Sequence, residues 1–127
     1  MRKIIYTPDA PSLWTQATKV GNHIYVAGTA GMDPKTNHLV GATVEEQTHQ
    51  ALRNCEAILK AAGASLDDVV QVTILLREPE DSRGMQGEIN KTFPDSRPSQ
   101  IVGKLGVIRD IEGIPLRVSV SMTAIIE

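Results

Sequence analysis

Residues 116–127 alternate between apolar and polar side chains, and this alternation predicts a β-strand with one apolar face. Apolar residues occupy every second position from Leu116 to Ile126, while Arg117, two serines and Thr123 lie between them. Residues 68–76 (DVVQVTILL) are rich in Val, Ile and Leu and too few for a long helix. They predict a second strand, buried on both faces or nearly so.

An amphipathic helix is predicted over residues 44–62. Thr43 and Glu46 have the spacing of a capping box, in which each side chain satisfies a backbone N–H group at the start of a helix. Gly63 follows at the position where a C-terminal glycine is expected. The apolar positions recur as one helical stripe, formed by Ala51, Leu52, Cys55, Ile58, Leu59 and Ala62.

The remaining segments predict shorter elements. Gly21-Asn22 is a turn signal between residues 19–20 and the strand 23–27. Apolar residues spaced by four predict a second helix over residues 83–93, which Pro94 ends, and residues 100–105 predict another strand. The order β-β-α-β-α-β-β indicates an α+β domain, a mixed sheet with two helices against one face. The other face must contact water or another subunit.

Length and composition restrict the class of protein. A chain of 127 residues fits one domain, residues 1–127, and its single cysteine allows no intrachain disulfide, which favours a cytoplasmic location. No run of 18 apolar residues is present, so no membrane association is expected. The net charge of −2 and only four aromatic residues disfavour nucleic acid as a partner.

Motifs that carry chemistry are scarce in this sequence. It contains neither a phosphate-binding glycine motif nor the serine-hydrolase elbow, and its three histidines lack metal-ligand spacing. We therefore expect no metal. Cys55 lies on the apolar stripe of the first helix, where a thiol is usually a small buried hydrophobe. Residues 28–31 (GTAG) precede turn-forming residues and are interpreted as a structural turn.

Five segments together resemble the RidA/YjgF family over nearly the whole chain. They are residues 12–17 (SLWTQA), 25–34 (YVAGTAGMDP), 46–54 (EQTHQALRN), 61–70 (AAGASLDDVV) and 93–99 (FPDSRPS). The resemblance implies a chorismate-mutase-like α+β fold, assembled as a homotrimer around a central β-barrel. It also implies small-molecule clefts between subunits, no cofactor, and hydrolysis of reactive enamines and imines with release of ammonia.

The chain departs from the family pattern at the positions that would contact a ligand. The family's arginine, which grips a substrate carboxylate bidentately, falls on Gln100, and its glutamate falls on Ser121. The resemblance therefore assigns no catalytic residue. It places six residues in the ligand cleft: Trp14, Ala27, Gln86, Ile89, Gln100 and Ser121. Lys104, at the same strand parity as Gln100, could supply a substitute positive charge.

Two hypotheses about function remain open from the sequence. In the first, the chain is a divergent hydrolase that deaminates an enamine, an imine or a related reactive intermediate, in a rewritten cleft. In the second, it is a non-catalytic trimer that binds a small ligand or regulates a partner enzyme, because those six positions carry no charge. A third interpretation is a vestigial pocket whose residues only pack.

Overall fold

The computed structural model describes residues 1–12, 15–95, 98–106 and 110–127. The helices are Val44–Ala61 (α1) and Ser82–Thr92 (α2). The strands are Arg2–Ile5 (β1), Ala17–Val20 (β2), His23–Thr29 (β3), Val69–Leu76 (β4), Ser99–Lys104 (β5), Asp110–Ile111 (β6), Ile114–Pro115 (β7) and Val118–Ile125 (β8). Two short 3₁₀ helices precede β4 and α2.

Among the described residues, a mixed sheet has the strand order β1-β2-β3-β8-β4-β5. The β4–β5 pair is parallel, and the other pairs of this sheet are antiparallel. The strand β8 therefore lies in the middle of the sheet, although it follows the other five in the chain. Strands β6 and β7 form a separate two-stranded hairpin.

The helix α1 packs on one face of the sheet, and α2 packs against α1 and joins the same core, which confirms the predicted α+β architecture. The inward-facing residues of β8 are buried, and their neighbours in sequence are half-buried. The core also takes residues from α1 and α2 and from four more strands, β1 to β4. We call the opposite face of the sheet, which neither helix covers, the open face. On β8 the open face carries Ser119, Ser121 and Thr123.

Both ends of α1 form as the sequence predicts. Glu46 N donates to Thr43 Oγ1 over 3.1 Å, and Thr43 N donates to Glu46 Oε1 over 3.3 Å, so the capping box is present. Gly63 follows the helix with φ of +87°, a left-handed conformation that glycine adopts readily. Lys19 from β2 adds a cation at this end, because its Nζ donates to the Ala62 carbonyl over 2.8 Å.

Three features of the strands differ from prediction. The strand β4 is fully buried only on the helix side, because nothing described covers Gln71, Thr73 and Leu75 on the open face. The strand β1 was not predicted, since three of its four residues are exposed and carry no alternating signal. Strands β6 and β7 were not predicted either, because each has only two residues.

Candidate functional site

A β-bulge interrupts β3 near its end. Val26 pairs with Met122 and Thr29 with Val120, so β3 has one more residue than β8 between these two pairs. Residues 27–28 therefore lie together opposite Ser121. Bulges often occur next to functional sites, because they break a ladder and redirect the chain. This bulge defines the candidate site on the open face.

The chain around the bulge is held by two polar contacts. Ala27 N donates to the Gln16 carbonyl oxygen over 2.9 Å, away from the partner strand β8. The Ala27 carbonyl oxygen accepts from Thr29 Oγ1 over 2.8 Å. The bulge is thus a defined backbone conformation, fixed by its neighbours on both sides.

Neutral hydroxyl groups continue from the bulge across the open face. Ser121 lies opposite the bulge and pairs on its other side with Thr73 of β4. Ser119, also on the open face, has its Oγ 3.0 Å from the position that a Cβ on Gly28 would occupy. Thr73 pairs in turn with Ile101, which is 49% exposed. The resulting surface can hydrogen-bond a small ligand but carries no charge of its own.

Two buried amides hold the loops on the helix side of the bulge. Asn54, in α1 and 1% exposed, donates through Nδ2 to the carbonyls of Ala30 and Met32 over 3.0 and 2.9 Å. Gln16, just before β2, is 5% exposed. Its Nε2 donates to the carbonyls of Thr7, Ala10 and Pro11, and its Oε1 accepts from Thr7 N. Gln16 thereby fixes residues 7–11.

A third buried amide belongs to Gln47, two turns before Asn54 on the same face of α1. Its Nε2 donates to the carbonyls of Gly41 and Pro115 over 3.0 and 2.9 Å, and its Oε1 accepts from Arg117 N over 2.9 Å. The Arg117 side chain also contacts the Asp81 carboxylate, at 3.3 Å. Gln47 therefore joins α1 to the chain that enters β8.

Sequence reasoning did not single out these three amides, although the sequence holds a signal for two of them. Gln47 and Asn54 are seven residues apart, so both fall on one face of a helix. Their face is the buried one. A polar side chain on a buried helical face must find hydrogen-bond partners, and irregular loops supply unpaired carbonyls.

The structure separates the six residues predicted to line a cleft. Ala27 and Ser121 lie together at the bulge, and both are half-buried. Gln100 is exposed on β5, where it pairs with buried Val72 and so points to the helix side. Lys104 shares that side, as its parity predicted, and is also exposed. Trp14 lies outside the described residues.

The two predicted cleft residues on α2 differ from each other. Gln86 is half-buried and donates to Asn90 Oδ1 over 3.0 Å, and it borders an open depression of about 650 Å³ on the outer side of the helix. Ile89 is 1% exposed and belongs to the core, because the apolar stripe of α2 packs against α1. The structure thus places Ile89 inside the protein and not at a surface.

Two other side chains are of types that often take part in catalysis, namely a cysteine and a histidine. Cys55 is fully buried on the inner face of α1, as predicted, and burial raises the pKa of its thiol to about 12. His49 is exposed on α1 and lies 3.4 Å from the Glu88 carboxylate of α2. Among the described residues, no three His, Cys, Asp or Glu side chains are grouped as metal ligands.

The comparison with known families assigns the chain to one class of protein. The family model named Endoribonuclease L-PSP matches residues 5–121 of the chain. The chain therefore belongs to this family, which is the RidA/YjgF family that the sequence motifs resemble. This result confirms the predicted family, and similarity to the crystal structure of a RidA protein confirms the predicted fold of the single chain.

Particular relatives extend over most of the chain. A RutC family protein of Pyrococcus horikoshii is 36% identical over 122 residues, 90% of this chain and 97% of the relative. The 2-iminobutanoate/2-iminopropanoate deaminase of Mus musculus is 42% identical over 96 residues, 73% of this chain and 70% of the relative. The crystal structure of RidA from an Antarctic Psychrobacter is similar with a TM-score of 0.86 and 28% identity, covering 98% of this chain and 99% of that one.

Proposed function

We propose that this protein hydrolyses a reactive enamine or imine at the bulge of β3, with release of ammonia. The observation that carries the proposal is the position of Ser121, which lies on the open face opposite the Ala27–Gly28 bulge. The similarity of the chain to the mouse 2-iminobutanoate/2-iminopropanoate deaminase supports this reaction class. Water adds to the C=N carbon, the nitrogen leaves as ammonia, and a carbonyl product forms.

The hydroxyl groups of the open face suit the orientation of a water molecule. Ser121 and Thr73 are directly opposite each other in the β4–β8 register, and each hydroxyl can both donate and accept. The C=N carbon of an imine is electrophilic without further activation by a cofactor. Positioning water beside it is the contribution that neutral groups can make.

The proposed cleft lies between copies of this chain in a homotrimer. The predicted cleft residues fall on opposite sides of the sheet, with Ser121 on the open face and Gln100 on the helix side of the edge strand β5. A single chain cannot bring these two side chains into one cleft. The open face and the exposed edge strand are both available to a second copy.

The substrate class follows from the side chain at position 100. Gln100 is exposed, and its amide offers one donor group and one acceptor without charge. It cannot form the bidentate ion pair with a carboxylate that an arginine forms. We propose that the preferred substrate is uncharged near this position, or carries an amide or carbonyl there.

The proposed setting is a single domain, residues 1–127, in the cytoplasm. In the part of the chain that the structure describes, no helix is long and apolar enough to cross a membrane. The ribonuclease activity in the family model's name gains no support here, because the net charge is −2 and only four residues are aromatic.

A non-catalytic ligand-binding or regulatory trimer is the second candidate. The observation that favours it is the absence of charge at Ala27, Ser121 and Thr73, since hydrolases of this kind commonly use an ionisable side chain to move protons. Under this alternative the same cleft binds a small molecule and leaves it unchanged.

The deciding experiment measures ammonia release from imines that an amino-acid oxidase generates in situ. These imines all carry a carboxylate, so the wild type should accelerate release only weakly, and Gln100→Arg should raise kcat/KM by about ten- to a hundred-fold, because it adds a charge-assisted bidentate contact. Gln100→Ala is the matched control and should not raise it. No acceleration by either the wild type or Gln100→Arg, in folded samples, would favour the non-catalytic candidate.

A further inference from the structure

We propose that Asn54 is a positioning residue, which holds the loop of residues 30–32 in the conformation that the bulge site requires. This inference rests on the proposed function, because the loop follows the bulge directly and borders the site. Asn54 itself is buried on α1 and does not lie on the open face. Its effect must therefore pass through the loop.

The contacts of Asn54 fix the loop on both sides of one residue. Its Nδ2 donates to the carbonyls of Ala30 and Met32, at 3.0 and 2.9 Å, and these residues flank Gly31. A single amide group thus sets the relative orientation of two peptide planes. The contact to the Met32 carbonyl is buried, so loss of the amide would leave that carbonyl without a ready replacement partner.

The orientation of the Asn54 amide is itself determined. Gln50, one turn earlier in α1, donates from Nε2 to Asn54 Oδ1 over 2.9 Å. With its oxygen engaged by Gln50, the Asn54 amide can present only its nitrogen to the loop. The pair therefore acts as an oriented support for the loop.

The backbone of the loop packs directly against the backbone of α1 at Gly31. A Cβ built on Gly31 would overlap the backbone of Gln47, so no side chain is accommodated there. The Gly31 carbonyl accepts from Val40 N over 3.1 Å, which ties the loop to the segment before α1. Without the Asn54 contacts, the two carbonyls would lose their donor while Gly31 stayed crowded against the Gln47 backbone. The loop would therefore shift away from the helix.

The first arm of the test is kinetic and compares Asn54→Ala with Asn22→Ala. Asn22 is the matched control, because its Nδ2 also donates to a backbone carbonyl, that of Ile126, far along the chain from the loop. Asn54→Ala should lower kcat/KM for ammonia release at least ten-fold, with both a lower kcat and a higher KM. Asn22→Ala should leave both constants within two-fold. Equal constants for the two variants, measured well below their unfolding temperatures, would overturn the proposal.

The second arm measures backbone amide exchange and needs no activity. Exchange at residues 30–33 should be at least ten-fold faster in Asn54→Ala than in the wild type, with β4 and β8 unchanged. Gln50→Ala, which removes only the orienting contact, should accelerate the same residues less, and it replaces Asn54→Ala if that variant does not fold. Unchanged exchange in the loop would refute the positioning role. If neither the wild type nor Gln100→Arg accelerates ammonia release, the proposed function fails, and the exchange result alone decides whether Asn54 positions the loop.

Discussion

At the scale of single residues, Cys55 shows how burial determines the chemistry of a side chain. Its thiol is completely buried between α1 and the sheet, and Sγ lies 3.8 Å from the Val120 carbonyl oxygen. Burial raises the pKa of Cys55 to about 12, against a smaller lowering by a hydrogen bond with Thr29. The thiolate needed for nucleophilic or redox chemistry is therefore strongly disfavoured.

This pKa makes a prediction about stability at high pH. A thiol whose pKa is raised on folding ionises first in the unfolded chain. Its contribution to stability is therefore fully present below the ordinary pKa of 9.0 and is lost as the pH rises towards 12. The free energy of unfolding should fall by up to about 1.4 kcal/mol per pH unit more steeply in the wild type than in Cys55→Ala. Urea titrations from pH 8 to about pH 11 measure the difference, and parallel pH profiles would contradict it.

Single residues also show which features the sequence predicts and which it does not. The capping pair Thr43–Glu46 and the buried Cys55 were predicted, because both depend on neighbours within one helix. Gln47 and Asn54 were missed, because their partners at Gly41, Pro115, Ala30 and Met32 are brought near by the fold. A helical stripe identifies a buried face but not the loops that cover it.

At the scale of elements, two glycines in α2 occupy opposite environments. A Cβ on Gly84 would lie 2.6 Å from a carboxylate oxygen of Glu45 and 2.8 Å from Val44 Cγ1, both in α1. A Cβ on Gly87, three residues later, would meet nothing within 4 Å. The first glycine permits α2 to approach α1 closely, while the second only weakens the helix.

Alanine substitutions at these two positions should change stability in opposite directions. Gly87→Ala should stabilise the protein by about 0.5–1 kcal/mol, because glycine in a helix loses more backbone entropy on folding. Gly84→Ala should destabilise it by about 1–3 kcal/mol, because the new methyl group forces Glu45 and Val44 to move. Chemical denaturation of both variants tests the contrast. A gain in stability for Gly84→Ala would mean that α1 yields easily at this crossing.

Elements differ in how far the sequence specifies them. The strand β8 and the helix α1 carry complete periodic patterns, and the structure confirms both within two residues at each end. The bulge in β3 was not predicted, because it exists only relative to β8, more than ninety residues later in the chain. Motif resemblance, and not periodicity, brought Ala27 and Ser121 into one predicted site.

At the scale of the whole molecule, exposed apolar residues on the sheet support the proposed trimer. The edge strand β5 has apolar side chains on both faces, with Ile101 and Val102 49% and 50% exposed. Tyr25 adds a further half-exposed side chain to the open face. Long apolar edge strands are usually covered in natural proteins, because they otherwise promote aggregation.

The proposed trimer predicts a solution mass about three times the chain mass of 13.8 kDa. Ile101→Lys should lower this mass at micromolar concentration, because it places a charge within the apolar part of the edge strand. Val40→Lys is the matched control, since Val40 is 40% exposed but lies outside the sheet. Light scattering after gel filtration measures both. A monomeric wild type, or equal masses for the wild type and Ile101→Lys, would contradict this arrangement.

The central place of β8 has a consequence for how the chain reaches its native state. Until residues 118–125 are available, β1-β2-β3 and β4-β5 have no strand that joins them, since β8 pairs with β3 on one side and β4 on the other. The paired residues of β3 and β8 lie 91 to 102 positions apart in the sequence, and such long-range contacts slow two-state folding. During synthesis the two partial sheets would each expose an unpaired edge, so the emerging chain would be most vulnerable to misassembly just before β8 leaves the ribosome.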